Sequence, residues 1–187
     1  MKVIVNRVFA FVAALVVAAS VAAAQPADRM SERAAFEQLA KKVRKELVTL
    51  PWYGVFDNLE YGIDGSTVTL SGQVVQPSTR KDAERRVRKL KGVERVVNNI
   101  EVLPLSGFDD SIRVNTYRTL MGWNSPLFRY GRGVNPSIHI VVNRGHVTLE
   151  GVVSNEGDRR LANALVNSIP GVFSVTNNLR AESERAR

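Results

Sequence analysis

Val68-Thr-Leu-Ser-Gly72-Gln-Val74 and Val147-Thr-Leu-Glu-Gly151-Val-Val153 are one pattern written twice, 79 residues apart. Holding that offset without a gap, Arg80 meets Arg159, Ala83 meets Ala162 and Val87 meets Val166. Gly92-Val93 meets Gly171-Val172, Val96 meets Val175, and Asn98-Asn99 meets Asn177-Asn178. Positions 68 to 100 thus carry 13 identities with their counterparts, and Leu90/Ile169 and Ile100/Leu179 add conservative matches. The chain therefore holds two copies of one module. Two copies at so long a period are too few for a solenoid.

Outward from Val68, each flank reads in turn. Leu59, Tyr61 and Ile63 alternate, Asp64-Gly65 makes a tight turn, and Val68, Leu70 and Val74 alternate again. Two alternating runs around Asp-Gly predict a β-hairpin. Upstream, Phe36, Leu39, Ala40, Val43 and Leu47 stand at helical spacing, predicting a helix over 30–49 that starts near Ser31 and ends before Pro51. Downstream, Pro77-Ser-Thr79 opens a second helix, with Thr79 and Asp82 as a weak capping box. Ala83, Val87 and Leu90 form its inner stripe, and Gly92 stops it. Val96, Asn98, Ile100 and Val102 alternate as a third strand.

The second module repeats the order. A helix is predicted over 110–121 with Ile112, Thr116 and Leu120 inward. Ile138, Ile140 and Val142 form a strand, Asn143-Arg144-Gly145 a turn, and residues 147–153 the next strand. Ser154-Asn155 caps a helix to Ser168 that Pro170-Gly171 ends, and residues 172–179 form the last strand. The fold class expected is α+β: two tandem α-β-β-α-β modules, each a three-stranded sheet with two helices on one face. The expected boundaries are 25–105 (core 34–103) and 106–181 (core 109–180), with Pro104–Gly107 as a short linker and 182–187 as a tail. From Ala181 onward the chain is expected to fray.

Residues 1–24 carry Lys2 and Arg7, then a run of about 14 apolar residues, then Ala22-Ala-Ala24. Basic, apolar and small-residue regions in that order predict a signal peptide cleaved after Ala24, with an uncleaved N-terminal anchor as the alternative; the apolar run is short of the roughly 20 residues that span a bilayer. The remaining 163 residues carry 24 basic and 18 acidic side chains, a net of +6. An exported basic protein meets phospholipid headgroups and other envelope polyanions, not nucleic acid. The chain has no cysteine, which excludes disulfides, a thiolate nucleophile, sulfur-ligated zinc and an acylated anchor. With two histidines it offers no histidine-rich metal centre, and no cofactor is expected.

The α-β-β-α-β order, V-T-L-x-G-x-V in the second strand and G-V-x-x-V-x-N-x-I after the second helix resemble BON domains. The resemblance covers both modules. It implies an exported, non-catalytic envelope module that associates with phospholipid membranes. Lacking a cysteine, this chain departs from the lipoprotein members, so any membrane contact is expected to be peripheral.

The glycines of the repeated motif, Gly72, Gly92, Gly151 and Gly171, read as structural: a bulge or close helix approach in mid-strand, and helix stops. The Asn pairs read as side chains bonded to backbone at a strand irregularity, with a ligand role as the alternative.

Two features carry candidate binding. Lys41, Lys42, Arg44 and Lys45 lie in the first helix, and Arg80, Lys81, Arg85, Arg86, Arg88, Lys89 and Lys91 in the second, against Asp82 and Glu84. With the apolar stripe inward, these cations cover the outer face, either as a solvated surface or as an anionic-lipid contact. The second feature is the loop of residues 122–132, where Trp123, Phe128 and Tyr130 stand beside Arg129 and Arg132. Residues 51–56 are a shorter counterpart with Trp52, Tyr53 and Phe56. Such a loop either wedges into headgroups or packs as core or between modules. The candidate lipid-binding residues are therefore Arg85, Arg86, Lys89, Trp123, Phe128, Arg129, Tyr130 and Arg132.

Catalytic patterns are missing. There is no G-x-S-x-G, and no carboxylate pair shares a helix face in a plausible cleft. Alternation places His139 opposite Ile138 and Ile140, hence exposed. The reading is a non-enzyme that binds anionic phospholipid peripherally and maintains the envelope. The alternative is a periplasmic protein-interaction or stress-protective factor whose partners are envelope proteins. A hydrolase of an envelope polymer is a distant third.

Overall fold

The computed structural model describes residues 26–133 and 135–182. The segment read as a signal peptide lies outside the described residues. The first module runs α1 (Pro26–Val48), β1 (Asn58–Asp64), β2 (Thr67–Val74), α2 (Pro77–Arg88), β3 (Arg95–Asn98) and β4 (Glu101–Val102). The second runs α3 (Gly107–Met121), a 3-10 turn (Phe128–Gly131), β5 (Ile138–Asn143), β6 (His146–Val153), α4 (Glu156–Asn167) and β7 (Ser174–Ala181).

The two sheets share one topology. In each, the second strand is central, antiparallel to the first and parallel to the third. The parallel pairing needs a crossover, which α2 and α4 supply. The third strand of the first module breaks at Asn99-Ile100, so β3 and β4 pair with successive parts of β2.

Period two selects the buried face. Val68, Leu70 and Val74 are fully buried with Val43, Leu47, Ala83 and Val87 from the two helices. Ile138, Ile140, Leu149 and Val153 do the same with Ile112, Leu120, Ala162 and Val166. The helices cover one face of each sheet, and each module has its own core.

Several boundaries differ from the sequence reading. The described part of α1 already begins at Pro26, so Ser31 is not its start. In α2, Gln76 is the N-cap with no side-chain bond and Pro77 opens the helix. The Thr79/Asp82 box does not form: Thr79 is buried and Asp82 pairs with Arg85. Helix α3 starts three residues earlier than expected because Ser106 caps it, its Oγ accepting from Asp109 N–H at 3.2 Å. Asn155 caps α4 as read, accepting from Asp158 N–H at 2.9 Å. Strand β7 is shifted by two residues, and Ala181 is paired with Val153 and buried rather than frayed. Gly92 and Gly171 do not end helices directly. They sit at positive φ in turns closed by Val93 N–H to Leu90 C=O and Val172 N–H to Ile169 C=O.

Candidate functional site

The repeated motif builds scaffold. A Cβ on Gly72 would stand 2.1 Å from the Asn58 carbonyl oxygen, and one on Gly151 would stand 2.0 Å from that of Ser137. Both have φ above +100°. The close neighbour is the start of the preceding strand, not a helix. Asn98 and Asn177 are equally matched. Asn98 Nδ2 donates to Arg80 C=O at 3.2 Å and Asn177 Nδ2 to Arg159 C=O at 2.8 Å. Their Oδ1 atoms accept from Ile100 and Leu179 N–H. Each Asn clasps the third strand to the second helix.

The residue after β2 and β6 has an N–H beyond the end of its strand. Val75 N–H is taken by Asp57 Oδ1 at 2.7 Å, and Ser154 N–H by the Tyr130 hydroxyl at 2.8 Å. The two modules satisfy the same donor with different side chains. Asp57 also accepts from Gly54 N–H at 3.0 Å. Burial nonetheless raises its carboxyl pKa above the ordinary 3.8, outweighing these two bonds.

The 51–57 loop docks on the second module. Val55 and Phe56 pack against its core, and Phe56 meets Tyr117 edge-on at 6.2 Å. Val55 C=O accepts Ile140 N–H at 2.7 Å, closing the open edge of β5. Tyr53 stacks on His139 at 5.5 Å. His139 is therefore not exposed as alternation implied. The face opposite its own core is covered by the neighbouring module, and burial lowers its pKa below the ordinary 6.5. Burial also pushes the Tyr53 hydroxyl up to about 12. Arg113, buried on α3, donates to Val142 C=O at 2.7 Å and pairs with Asp110.

The loop of residues 122–132 divides its side chains. Leu127 is fully buried, and Tyr130 is 7% exposed with its hydroxyl donating to Asp158. Tyr130 therefore belongs to the core and does not offer its ring at the surface. Trp123 is 84% exposed, braced edge-on by Phe128 at 5.2 Å. Arg132 stands 5.9 Å over the Phe128 ring. Arg129 bonds the Tyr130 hydroxyl and pairs with Asp158, which, the tyrosine foremost, raise its pKa further. Backbone bonds from Ser125 N–H to Gly122 C=O and Phe128 N–H to Ser125 C=O hold the loop in shape.

On α2, Arg85 pairs with Asp82, Arg88 with Glu84 and Arg86 with Glu46 across to α1. Arg80, Lys81, Lys89 and Lys91 are exposed, with no acidic partner among the described residues. The basic face and the aromatic loop belong to different modules, so the sequence-predicted residues form two separate features. Among the described residues no group of His, Asp and Glu could hold a metal, and no helix is long and apolar enough to cross a membrane.

Compared with known proteins, the chain matches the family model of the BON domain in two segments, residues 35–104 and 127–183. A comparison with curated proteins finds no match. Among solved structures, similarity is found to the C-terminal domain of CdsD, a structural protein of the type III secretion system of Chlamydia trachomatis. That likeness has a TM-score of 0.28 and 12% identity over 76% of this chain and 96% of that one. A second CdsD structure gives 0.28 and 13% over 80% and 95%. Superposition at that level carries no functional weight.

Proposed function

Because the chain belongs to the BON domain family, whose members are commonly envelope-associated and generally non-catalytic, we propose that it is an exported periplasmic protein that binds anionic phospholipid peripherally. Trp123 carries this reading. An indole left 84% exposed on a loop tied down by hydrogen bonds is a poor arrangement for a surface meant only for water. Trp favours the headgroup layer, and Arg132, over the Phe128 ring that braces the indole, supplies a guanidinium suited to phosphate. The unpaired cations on and just after α2, Arg80, Lys81, Lys89 and Lys91, add attraction of about 1 kcal/mol each near an anionic surface. Envelope maintenance follows as the role.

The test is vesicle association of Trp123→Ala and Phe128→Ala, beside charge reversal at Arg85, Arg86 and Lys89. The loop variants are expected to lose most binding at physiological salt, and the helix variants to bind more weakly at low salt with a shallower salt dependence. Unchanged binding in all of them would end the proposal.

The second reading, a protein-interaction or stress-protective factor, draws on Phe108 and Phe173. They form an exposed pair 5.8 Å apart at the far end of α3 from Trp123. It predicts co-purifying envelope proteins and indifference to lipid.

A further inference from the structure

A cleft of about 630 Å³ opens between the modules, with none of residues 122–132 in its lining. Arg44 enters it from α1 and Arg180 from β7. Arg180 stands between Leu179 and Ala181, both buried in strand β7, so alternation turns its side chain to the opposite face. The equivalent position in the first module is Glu101, so the cation belongs to this one place and not to the repeat. Neither guanidinium has a partner among the described residues, and Glu182 is the one acid in the lining. Tyr53 and Tyr61 supply ring surface, and Tyr61 is fixed by its hydroxyl donating to Ala40 C=O at 3.1 Å. His139, stacked on Tyr53, completes one wall.

We propose that this cleft binds an organic phosphate, with Arg44 and Arg180 holding the phosphate from separate modules and the organic body lying against Tyr53. Two unpaired guanidinium groups lining one cleft make it electropositive, which attracts an anion. Each presents a fork of donors. A carboxylate is satisfied by one fork, whereas a phosphate has oxygens enough for two. The cleft lies within the size range of small-molecule sites and far exceeds inorganic phosphate. A ligand held this way ties the modules together.

The experiment is calorimetric titration of the chain from Gln25 onward, which carries every described element, with glycerol 3-phosphate. Glycerol is the neutral control, and phosphatidylglycerol vesicles are the second arm. Saturable binding of glycerol 3-phosphate and none of glycerol is expected. Arg44→Ala and Arg180→Ala should each weaken it about tenfold, Arg180→Lys should retain part, and Trp123→Ala should change nothing. Both arginines are exposed, so their variants should melt as the parent does. Arginine-dependent binding of vesicles alone supports a lipid headgroup as the source, and of glycerol 3-phosphate alone a soluble one. No saturable binding to either, or binding indifferent to both arginines, overturns the proposal. Loss of vesicle binding in Trp123→Ala with glycerol 3-phosphate binding intact would leave the cleft and the lipid surface as independent sites.

Discussion

Gly72 and Gly151 do the same work at the same place, and that work is steric. A β-carbon there meets a carbonyl oxygen at 2.1 or 2.0 Å in a backbone conformation that L side chains avoid. Gly72→Ala and Gly151→Ala should each cost about 1–3 kcal/mol from backbone strain alone, measured by denaturant unfolding, with further loss from the clash. A change below a few tenths would mean that the strand start gives way. The repeat spacing showed that both glycines matter together, but not what they avoid. A motif names the small residue and not the atom that leaves no room for a larger one.

His139 is the clearest gap between pattern and structure at this scale. Alternation correctly put it opposite Ile138 and Ile140, and then misjudged the surroundings, because strand period reports one sheet and not the neighbouring module. Burial against Tyr53 lowers its pKa, so the folded state resists the proton that the unfolded chain accepts. The stability this gives is present above the ordinary His value of 6.5 and is lost as pH falls below it. Asp57 and Glu150 are the acids facing the ring, and their charges oppose the shift without cancelling it. Asp57 itself is raised, so its contribution runs the other way and is lost as pH rises through its folded value, above 3.8. Urea unfolding from pH 7.5 to 5 should show falling stability in the parent and a flatter profile in His139→Phe. Equal slopes would place the ring in water.

At the scale of elements, the cores were legible, whereas the aromatic loops were read with two alternatives, and the 51–57 loop takes the one between modules. Val68, Leu70, Val74, Ala83 and Val87 are fully buried because strand and helix periods announce inward positions. Helix starts were less legible, since Ser106 caps α3 only by a bond that sequence does not reveal. The pair of aromatic loops looked alike but part company. The first turns Tyr53, Val55 and Phe56 onto the second module, and the second leaves Trp123 outside. What separates them is the open edge of β5, which needs a partner for Ile140 N–H and finds Val55. Phe56→Ala should therefore cost about 1–2 kcal/mol and loosen the module contact, seen as two separated melting transitions in calorimetry. One unshifted transition would show that the loop does not couple the modules.

At the scale of the molecule, two small cores joined through a loop and an edge strand present different surfaces. The first module offers the basic face of α2 and the second the Trp123 loop. Pairing within α2 and across to α1 already occupies Arg85, Arg86 and Arg88, so charge alone supplies less attraction than the sequence count implied. A surface that relied on the remaining cations would release at physiological salt, where screening acts within about 8 Å. An indole and its arginine in the headgroup layer would not. Co-sedimentation of residues 25–187 with anionic and zwitterionic vesicles, at low and physiological salt, separates these directly. Binding to anionic vesicles that persists at physiological salt, and none to zwitterionic ones, is expected. Absence of binding, or binding seen only at low salt, would contradict the lipid reading and leave the second module's aromatics to a protein partner.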